Sequence, residues 1–342
     1  MKKILFILKE NQYSMSLVSN GLINSATPVS EHLHSIGYDC KVVHVIDGNF
    51  IDHVMHEYKP DIVVIEAIWV ETAKLRELIH LWKYHHVQWI VRVHSNIGFF
   101  AAEPYSIKVL REYIALDEHS LVLSFTNKEF EKIISSVWDY KFTHLPNIVN
   151  IFDDKNHKTT EKDHIHIGCF GALRLIKNQC FQALCAMEAA NRLGKKLYFH
   201  ITPQLSDDDK DLILSGLKCI FQDSHHELVI HNWMPLPPFL ALVKKMDFGL
   251  QLSFTESFNI VAADFVSCKK LIIVSDAISW MPTVMKVSAT DYEEVINMII
   301  HTYRYRNNFI LKAMQSNHLQ DYNTGAEEVW DEFMLSQHGH HH

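Results

Sequence analysis

Short apolar runs alternate with amphipathic segments over the first 150 residues of the chain. Apolar or β-branched runs of this length are typical of strands buried on both faces of a parallel sheet, and the segments between them have helical spacing. Strands are predicted at residues 3–8, 40–46, 62–65, 88–93 and 121–125, and helices at 28–36, 72–84 and 127–137. This alternation predicts βαβ units and therefore a parallel sheet.

A second series of the same kind follows a polar stretch at residues 157–163, which has no periodicity and is predicted to be a linker. Its strands are predicted at 165–170, 196–201, 248–252 and 271–274, and its helices at 179–192, 235–245, 260–266 and from 326 to about 335. The chain is therefore predicted to be α/β, with two Rossmann-like, doubly wound domains at 1–150 and 151–320 that face a cleft. A C-terminal helix at 321–337 is predicted to pack back on the first domain.

The composition fits two folded domains and argues against several other classes of protein. The 342 residues are too many for one ordinary core, and with 48% hydrophobic and 21% charged residues the chain is neither disordered nor fibrous. The formal net charge of −8 is opposite to that of proteins that hold nucleic acid mainly by neutralising phosphates. A local basic patch is still compatible with this net charge.

No segment is predicted to cross a membrane. Lys9-Glu10-Asn11 interrupts the apolar start of the chain too early for a signal peptide, and no apolar run approaches the roughly 20 residues that span a bilayer. None of the six cysteines forms a C-x-x-C pair and most lie in apolar runs, so we expect buried free thiols in a reducing, cytoplasmic environment. The ending His338-Gly339-His340-His341-His342 resembles part of a purification tag and carries no functional argument.

The first candidate site is the turn at residues 169–178, between a predicted strand and a predicted helix. Gly171 lets the backbone turn sharply and approach a ligand closely. The helix that follows presents its first N–H groups and its positive dipole end, and Arg174 and Lys177 add two cations. This combination suits a pyrophosphate without a metal ion. The alternative interpretation is an ordinary turn with two solvated basic residues.

The second candidate site follows the third strand of the second series. Glu256 and Asp264 are eight residues apart, a little over two helical turns, so a loop and the helix after it can direct them towards one ligand. Two carboxylates here could accept hydrogen bonds from ribose and sugar hydroxyls, and the amides of Ser257, Phe258 and Asn259 could meet phosphate or sugar oxygens. The alternative is a helix-dipole partner and a solvated acid. Scattered His and Asp pairs elsewhere lack metal-ligand spacing, so no metal is predicted.

These two segments, in this order and about 80 residues apart, resemble the donor-binding half of family-4 glycosyltransferases. That family has a phosphate loop with a Lys and, later, a Glu-x7-Glu motif. Lys177 matches the Lys of the loop, Glu256 the first carboxylate and Asp264 the second. The resemblance implies that Glu256 lies near the transferred sugar and that Asp264 holds the ribose. Ala172 stands where the family usually has Arg, and Arg174 is the candidate substitute.

The first half of the chain resembles the same family more loosely. Gly21 stands where these enzymes have a glycine-rich loop after the first strand, and His94 matches a histidine that contacts the donor sugar. Residues 124–128 and 145–147 match further landmarks of the family. Without the resemblance, His94 would be interpreted as a core histidine.

The resemblance implies a two-domain GT-B glycosyltransferase. It would move a sugar from a nucleotide-diphosphate sugar to an acceptor hydroxyl, with retention of configuration and without a metal or cofactor. The implied catalytic residues are Glu256, His94 and Lys177. The implied donor-binding residues are Gly21, Gly171, Arg174, Lys177, Ser257, Phe258, Asn259 and Asp264.

The acceptor and the class of protein stay open. The acceptor could be a glycan, a lipid-linked sugar or a hydroxylated DNA base, as in phage-type DNA glycosyltransferases of the same architecture. The chain could also be a non-catalytic protein that binds nucleotide sugars. A sugar-nucleotide epimerase of similar fold would need acid/base carboxylates, and Glu256 alone does not make that case.

Overall fold

The computed structural model describes residues 1–10, 20–152, 154–155, 158–203 and 208–337 of the chain. These residues form two compact units: the first contains residues 1–150 and the chain from Asn323 onwards, and the second contains Ile151–Tyr322. The predicted tag at 338–342 lies outside the described residues, as does His157 at the start of the predicted linker. Over the described residues, no helix is both long and apolar enough to span a bilayer.

The first unit alternates strands and helices as the sequence pattern predicts. Its strands are β1 Lys3–Lys9, β2 Asp39–Val45, β3 Ile62–Glu66, β4 Gln88–Val93, β5 Leu121–Phe125 and β6 Thr143–His144. Its helices are α1 Asn20–Ser35, α2 Ile51–Tyr58, α3 Thr72–His80, α4 Ile97–Ala102, α5 Pro104–Ala115 and α6 Lys128–Trp138. The described strands pair in parallel in the order β2-β1-β3-β4-β5-β6, and β1 and β3 are buried along almost their whole length.

The second unit repeats this arrangement. Its strands are β7 His164–Gly168, β8 Lys196–Ile201, β9 Glu227–Ile230, β10 Phe248–Gln251 and β11 Ile272–Val274. Its helices are α7 Gln179–Leu193, α8 Asp208–Phe221, α9 Leu236–Lys244, α10 Ile260–Ser267 and α11 Tyr292–Arg304, followed by α12 Phe309–Ser336. The described strands pair in parallel, so the predicted α/β class with two doubly wound units is confirmed.

The end of α12 packs on the first unit, as the sequence predicts. Asn323 exchanges two hydrogen bonds with the backbone of Val149 (3.0 and 2.6 Å), and Trp330 Nε1 donates to Pro146 O at 2.8 Å. The helix begins well before the predicted residue 326, because the Asn308 side chain accepts hydrogen bonds from the amides of the first turn. The prediction found only the last part of this helix.

Helix α1 also begins earlier than predicted. Its first residue is Asn20, whereas the prediction placed the start at Pro28, a residue that favours the first helical turn. Inside a helix, proline removes one N–H and crowds the carbonyl four residues before it. Val29 and Leu33 are fully buried, and this apolar packing stabilises the helix across the proline.

Several other elements were missed or were too long in the prediction. Helices α2, α4, α5 and α11 and the short strands β6 and β9 were not predicted. The predicted helix at 72–84 ends at His80, because Leu81 is extended with ψ 122°, and the chain continues as a 3₁₀ turn over Trp82–Tyr84. Two- and four-residue edge strands contain too few residues for a periodic signal.

The strand order of the second sheet reverses at one position. The order is β11-β10-β7-β8-β9, so the chain moves outward from β7 to β9 and then returns to the other side of β7 with β10. In open α/β sheets, ligands bind outside the carboxyl ends of the strands at such a switch point. The loops that follow β7 and β10 are therefore the place to look for a site in this unit.

Two facing glycines let α10 lie close to these strands. Gly168 of β7 and Gly249 of β10 are paired in the sheet. An added Cβ at Gly249 would approach Phe265 Cε1 at 2.6 Å, and one at Gly168 would approach Phe265 Cζ at 2.9 Å. The ring of Phe265 therefore occupies the space that side chains on the strands would fill. This close packing fixes the neighbouring Asp264 and the start of α10 relative to the strand ends.

Candidate functional site

The loop after β7 contains two residues with left-handed backbone conformation. Gly171 has φ +110°, and Asn178, directly before α7, has φ +63°. A residue other than glycine would be strained at position 171, although an added Cβ would meet only Val261 Cγ2, at 3.8 Å. The 3₁₀ turn Leu175–Lys177 lies between these two residues. The loop therefore returns towards the sheet and carries Lys177 to its carboxyl edge.

Hydrogen bonds join this loop to the loop after β10. Phe254 N donates to Ile176 O at 2.9 Å. Gln251 Nε2, at the end of β10, donates to Phe170 O at 2.8 Å. Both bonds cross the switch point, so the two segments that the sequence singled out form one structural unit.

Lys177 and Glu256 form an ion pair between the two loops. Lys177 Nζ donates to Glu256 Oε1, which also accepts from Ser253 Oγ at 2.7 Å and from Asn259 Nδ2 at 2.9 Å. The Glu256 side chain is only 4% exposed and that of Lys177 19%. A buried carboxylate is costly unless it is paired and hydrogen-bonded, and these three donors meet that need. The structure thus brings together two of the residues predicted to be catalytic.

Asp264 lies on α10 and is also buried. Within the described part of the chain, no hydrogen-bond donor to its carboxylate is found, and burial raises the pKa of Asp264 to about 7. A buried carboxylate without donors costs free energy, and hydroxyl groups of a ligand would reduce that cost. The residue therefore suits a ligand that offers hydroxyls.

Three further predicted residues of the second unit line the loops. Arg174 is exposed and directly precedes the 3₁₀ turn. Gly171 N donates to Thr202 Oγ1 at 3.1 Å, so a ligand oxygen would compete with that hydroxyl for this amide. Ser257 is half-buried.

Phe258 and Asn259 have structural contacts. Phe258 is buried and stacks on Trp280 with 5.4 Å between ring centroids, and Trp280 Nε1 donates to Phe258 O at 2.8 Å. Asn259 Oδ1 accepts from Ala262 N at 2.8 Å and so caps α10. Both side chains therefore hold the loop in place.

In the first unit, His94 lies just beyond β4 beside two buried charges. Its Nε2 is 2.5 Å from Glu66 Oε2, and Arg92 Nε donates to both carboxylate oxygens of Glu66 at 3.1 and 3.0 Å. Burial alone would raise the pKa of Glu66, but Arg92 and His94 hold it below its usual range. Burial lowers the pKa of His94, and Glu66 opposes this. The Nε2–H of the ring donates to Glu66.

Gly21 and His94 belong to the first unit, and the remaining predicted site residues belong to the second. Gly21 is the second residue of α1, so it lies in a helix and not in a glycine-rich loop.

Solved structures match the chain over nearly its full length. The sucrose-phosphate synthase of Thermosynechococcus elongatus is 13% identical, with 98% of this chain and 99% of that one covered and a TM-score of 0.71. A trehalose-6-phosphate synthase is 10% identical, with 99% of each chain covered and a TM-score of 0.70. A trehalose-6-phosphate protein from E. coli bound with UDP-2-fluoro glucose is 9% identical, with 98% of each chain covered and a TM-score of 0.63. This chain has the GT-B fold.

Comparisons of sequence add nothing to this result. No protein-family model matches the chain, and no curated protein matches it. At identities this low, likeness of structure shows the fold and not the substrate.

Sequence reasoning missed three residues that hold the predicted ones in place. Glu66, Arg92 and Gln251 each lie at the last or next-to-last position of a buried strand. Strands buried on both faces consist mainly of apolar residues, and charged residues are almost never fully buried unless they are paired. A polar residue that closes such an apolar run is the signal that could have identified them.

A row of histidines crosses β7, β8 and the end of β9 in the second unit. His166 Nδ1 is 2.8 Å from His200 Nε2, and His200 Nδ1 is 2.8 Å from His231 Nε2. A neutral imidazole has one donor and one acceptor nitrogen, so three neutral rings can form both bonds. Within the described ranges, no three His, Cys, Asp or Glu side chains are placed to bind a metal ion together, so the row is a hydrogen-bonded structure.

This row makes the stability of the second unit depend on pH. Burial, and then the neighbouring His166 and His231, lower the pKa of His200 from 6.5 to about 3. The fold favours the neutral ring, so its contribution to stability is complete above pH 6.5 and is lost as the pH falls towards 3. We expect the contribution of His200 to the free energy of unfolding, measured with urea, to fall by at most about 1.4 kcal/mol per pH unit in this window.

The test variant replaces His200 with glutamine, and the control variant makes the same substitution at an exposed histidine. His200→Gln removes this titrating ring and should make the pH dependence shallower, whereas His301→Gln, at an exposed site of the same unit, should leave it unchanged. Equal slopes for wild type and His200→Gln would show that His200 does not cause the effect.

Proposed function

We propose that this chain is a glycosyltransferase that moves a sugar from a nucleotide-diphosphate sugar to an acceptor hydroxyl. The observation that carries the proposal is the Lys177–Glu256 ion pair, which joins the β7 and β10 loops at the switch point of the second sheet. Three charged side chains of the site match the three parts of such a donor. The Lys177 ammonium matches the diphosphate, the adjacent Glu256 carboxylate matches the sugar, and the buried Asp264 carboxylate matches the ribose.

The comparisons support this reading of the site. Two of the similar structures are a sucrose-phosphate synthase and a trehalose-6-phosphate synthase, and a third is bound with UDP-2-fluoro glucose. The resemblance of the two loops to the donor-binding motifs of family-4 glycosyltransferases agrees with this.

Each residue of the site has a role in the proposal. Lys177 and the exposed Arg174 neutralise the diphosphate, and Gly171 leaves room for its approach. Asp264 accepts hydrogen bonds from the ribose, and Glu256 orients the sugar. The backbone amides of the Ser257–Asn259 turn complete the donor contacts. In the first unit, Gly21 and His94 are the proposed substrate contacts.

Transfer breaks the bond between the anomeric carbon and the diphosphate oxygen and forms a bond from that carbon to the acceptor oxygen. Negative charge builds on the leaving diphosphate, and a fixed cation stabilises that charge. Oxyanion stabilisation by Lys177 and Arg174 is the reason why we propose a metal-independent reaction. The acceptor proton passes to the departing phosphate, and Glu256, whose Oε1 is paired with Lys177, orients the sugar. Attack on the face that the diphosphate leaves gives retention.

The acceptor is proposed only as a hydroxyl group of a glycan or a lipid-linked sugar. The net charge of −8 favours these over a hydroxylated DNA base. All six cysteines are free thiols, which fits a reducing cytoplasm. The expected burial holds for Cys169, Cys185 and Cys268, whereas Cys40 and Cys180 are half-buried and Cys219 is exposed.

The proposal is tested with nucleoside diphosphates and nucleotide sugars, without added metal. We expect the nucleoside diphosphate of one base to raise the unfolding temperature of the protein. At a hundredfold excess over its Kd, this ligand should stabilise the fold by about 2.7 kcal/mol. The nucleotide sugar with the same base should release its diphosphate slowly. Ribose hydroxyls favour the ionised form of Asp264, so the affinity should fall as the pH drops below about 7. Asp264→Asn should remove this pH dependence.

A 2′-deoxynucleoside diphosphate is the matched control ligand. The wild type should bind this ligand more weakly than the ribonucleotide. Asp264→Asn should bind the two ligands with equal affinity. No stabilisation by any member of the panel would overturn the donor site, and stabilisation with no diphosphate release or transfer would favour a non-catalytic binding protein.

A further inference from the structure

Asn259 occupies an unusual backbone position between the site and α10. Its φ is +74°, in the region where glycine is favoured and where asparagine is tolerated better than most residues. A glycine here would satisfy the backbone without strain. The choice of asparagine therefore points to a use for its side chain.

The side chain of Asn259 makes hydrogen bonds in three directions. Its Nδ2 donates to Glu256 Oε1 at 2.9 Å and to Gln251 Oε1 at 2.8 Å, and its Oδ1 accepts from Ala262 N at 2.8 Å. Asn259 is 8% exposed, so these bonds are shielded from water. Both donor hydrogens and the acceptor oxygen of the amide are thus used.

These bonds connect Glu256 to both loops of the site. Gln251, which accepts from Asn259, donates in turn to Phe170 O in the loop after β7. Lys177 from that loop contacts the same carboxylate oxygen that Asn259 contacts. The position of the carboxylate is therefore set from β10, from α10 and from the β7 loop together.

We propose that Asn259 is the positioning residue for Glu256: its amide holds the carboxylate in the orientation in which it meets the donor sugar. The inference rests on the proposed function for the role of Glu256, but the hydrogen bond itself can be tested separately. The Asn259 side chain does not touch the reacting atoms and acts only through Glu256.

Asn259→Asp separates this role from the backbone requirement. Aspartate has the same shape, can still accept from Ala262 N and also tolerates a positive φ. When ionised, it presents an oxygen to the acceptors of Glu256 and Gln251, whereas the protonated form supplies an O–H donor in place of Nδ2–H. The charged groups that face this position are Glu256 from the β10 loop and Lys177 from the β7 loop, and α10 presents the Ala262 amide.

The first experiment compares kcat and the donor KM of the wild type, Asn259→Asp and Asn259→Gly between pH 5.5 and 8.5. At pH 8.5 both variants should lose kcat by about tenfold to a hundredfold, the scale of a lost hydrogen bond to a charged group, with KM changed much less. As the pH falls, Asn259→Asp should recover relative to the wild type, because the protonated acid restores the donor. Asn259→Gly should show no recovery.

The second experiment measures thermal unfolding of the same proteins over the same pH range without substrate. Asn259→Asp should become more stable relative to Asn259→Gly as the pH falls. Parallel profiles in both experiments would overturn the proposal. If the wild type turns over no donor, the proposed function fails, and the unfolding profiles alone still decide whether residue 259 holds Glu256.

Discussion

Replacing Arg92 with methionine is expected to lower the free energy of unfolding by about 3–5 kcal/mol, the cost of leaving a buried charge without its partner. Arg92 and Glu66 are fully buried, and the guanidinium donates two hydrogen bonds to the carboxylate and one to Pro146 O at 2.9 Å. Methionine fills similar space without the charge. Urea unfolding at pH 7 measures the loss.

The double variant Arg92→Met with Glu66→Gln tests the explanation. Because it removes both charges, it should recover a large part of the lost stability. Arg111→Met is the surface control: Arg111 is exposed over the Trp138 ring at 4.8 Å, so its loss should change stability by only about 0.5 kcal/mol. An equal loss in the single and double variants would show that packing, and not the unpaired charge, dominates at this position.

The buried pair also shows where prediction from sequence succeeds and fails. Strands β4, β5 and β8 begin and end at the predicted residues, because strands buried on both faces consist mainly of apolar and β-branched residues, a pattern visible in the sequence. Glu66 and Arg92 are 26 positions apart and meet only because β3 and β4 are neighbours in register. Nothing local in the chain specifies that pairing.

The same distinction applies to the candidate site. The glycine, lysine and carboxylate positions of the two loops were identified because each has a local reason, such as a turn, a helix start or a spacing of eight residues. The contact of Lys177 with Glu256 depends on the placement of β10 beside β7, which is a long-range feature of strand order. The role of Asn259 depends on a backbone angle and on three partners that the sequence does not reveal.

The largest expected effect on activity is that of Lys177→Met. Loss of the cation at the leaving diphosphate should lower kcat by about a hundredfold to a thousandfold, as for removal of one donor to a developing oxyanion. The assay is diphosphate release from the donor identified by the stabilisation screen. Lys196→Met is the matched control. Lys196 lies at the amino end of β8, opposite to the carboxyl edge that carries the site, and pairs with Glu227 of the edge strand β9 at 3.3 Å, so its loss should leave kcat unchanged.

Lys177 could act on the diphosphate or only neutralise Glu256, and a double variant distinguishes the two. The comparison is with Glu256→Gln alone, because Glu256 has its own role at the sugar. If neutralising Glu256 were the whole role of Lys177, Lys177→Met with Glu256→Gln would be no slower than Glu256→Gln. If the ammonium faces the diphosphate, the double variant is slower than Glu256→Gln, because no charge replaces it. We expect the second result, since the ion pair leaves Lys177 19% exposed at the carboxyl edge of the sheet, where a donor phosphate can reach it. A double variant no slower than Glu256→Gln would make the Lys177–Glu256 pair a structural feature of the loops and remove the main argument for the donor site.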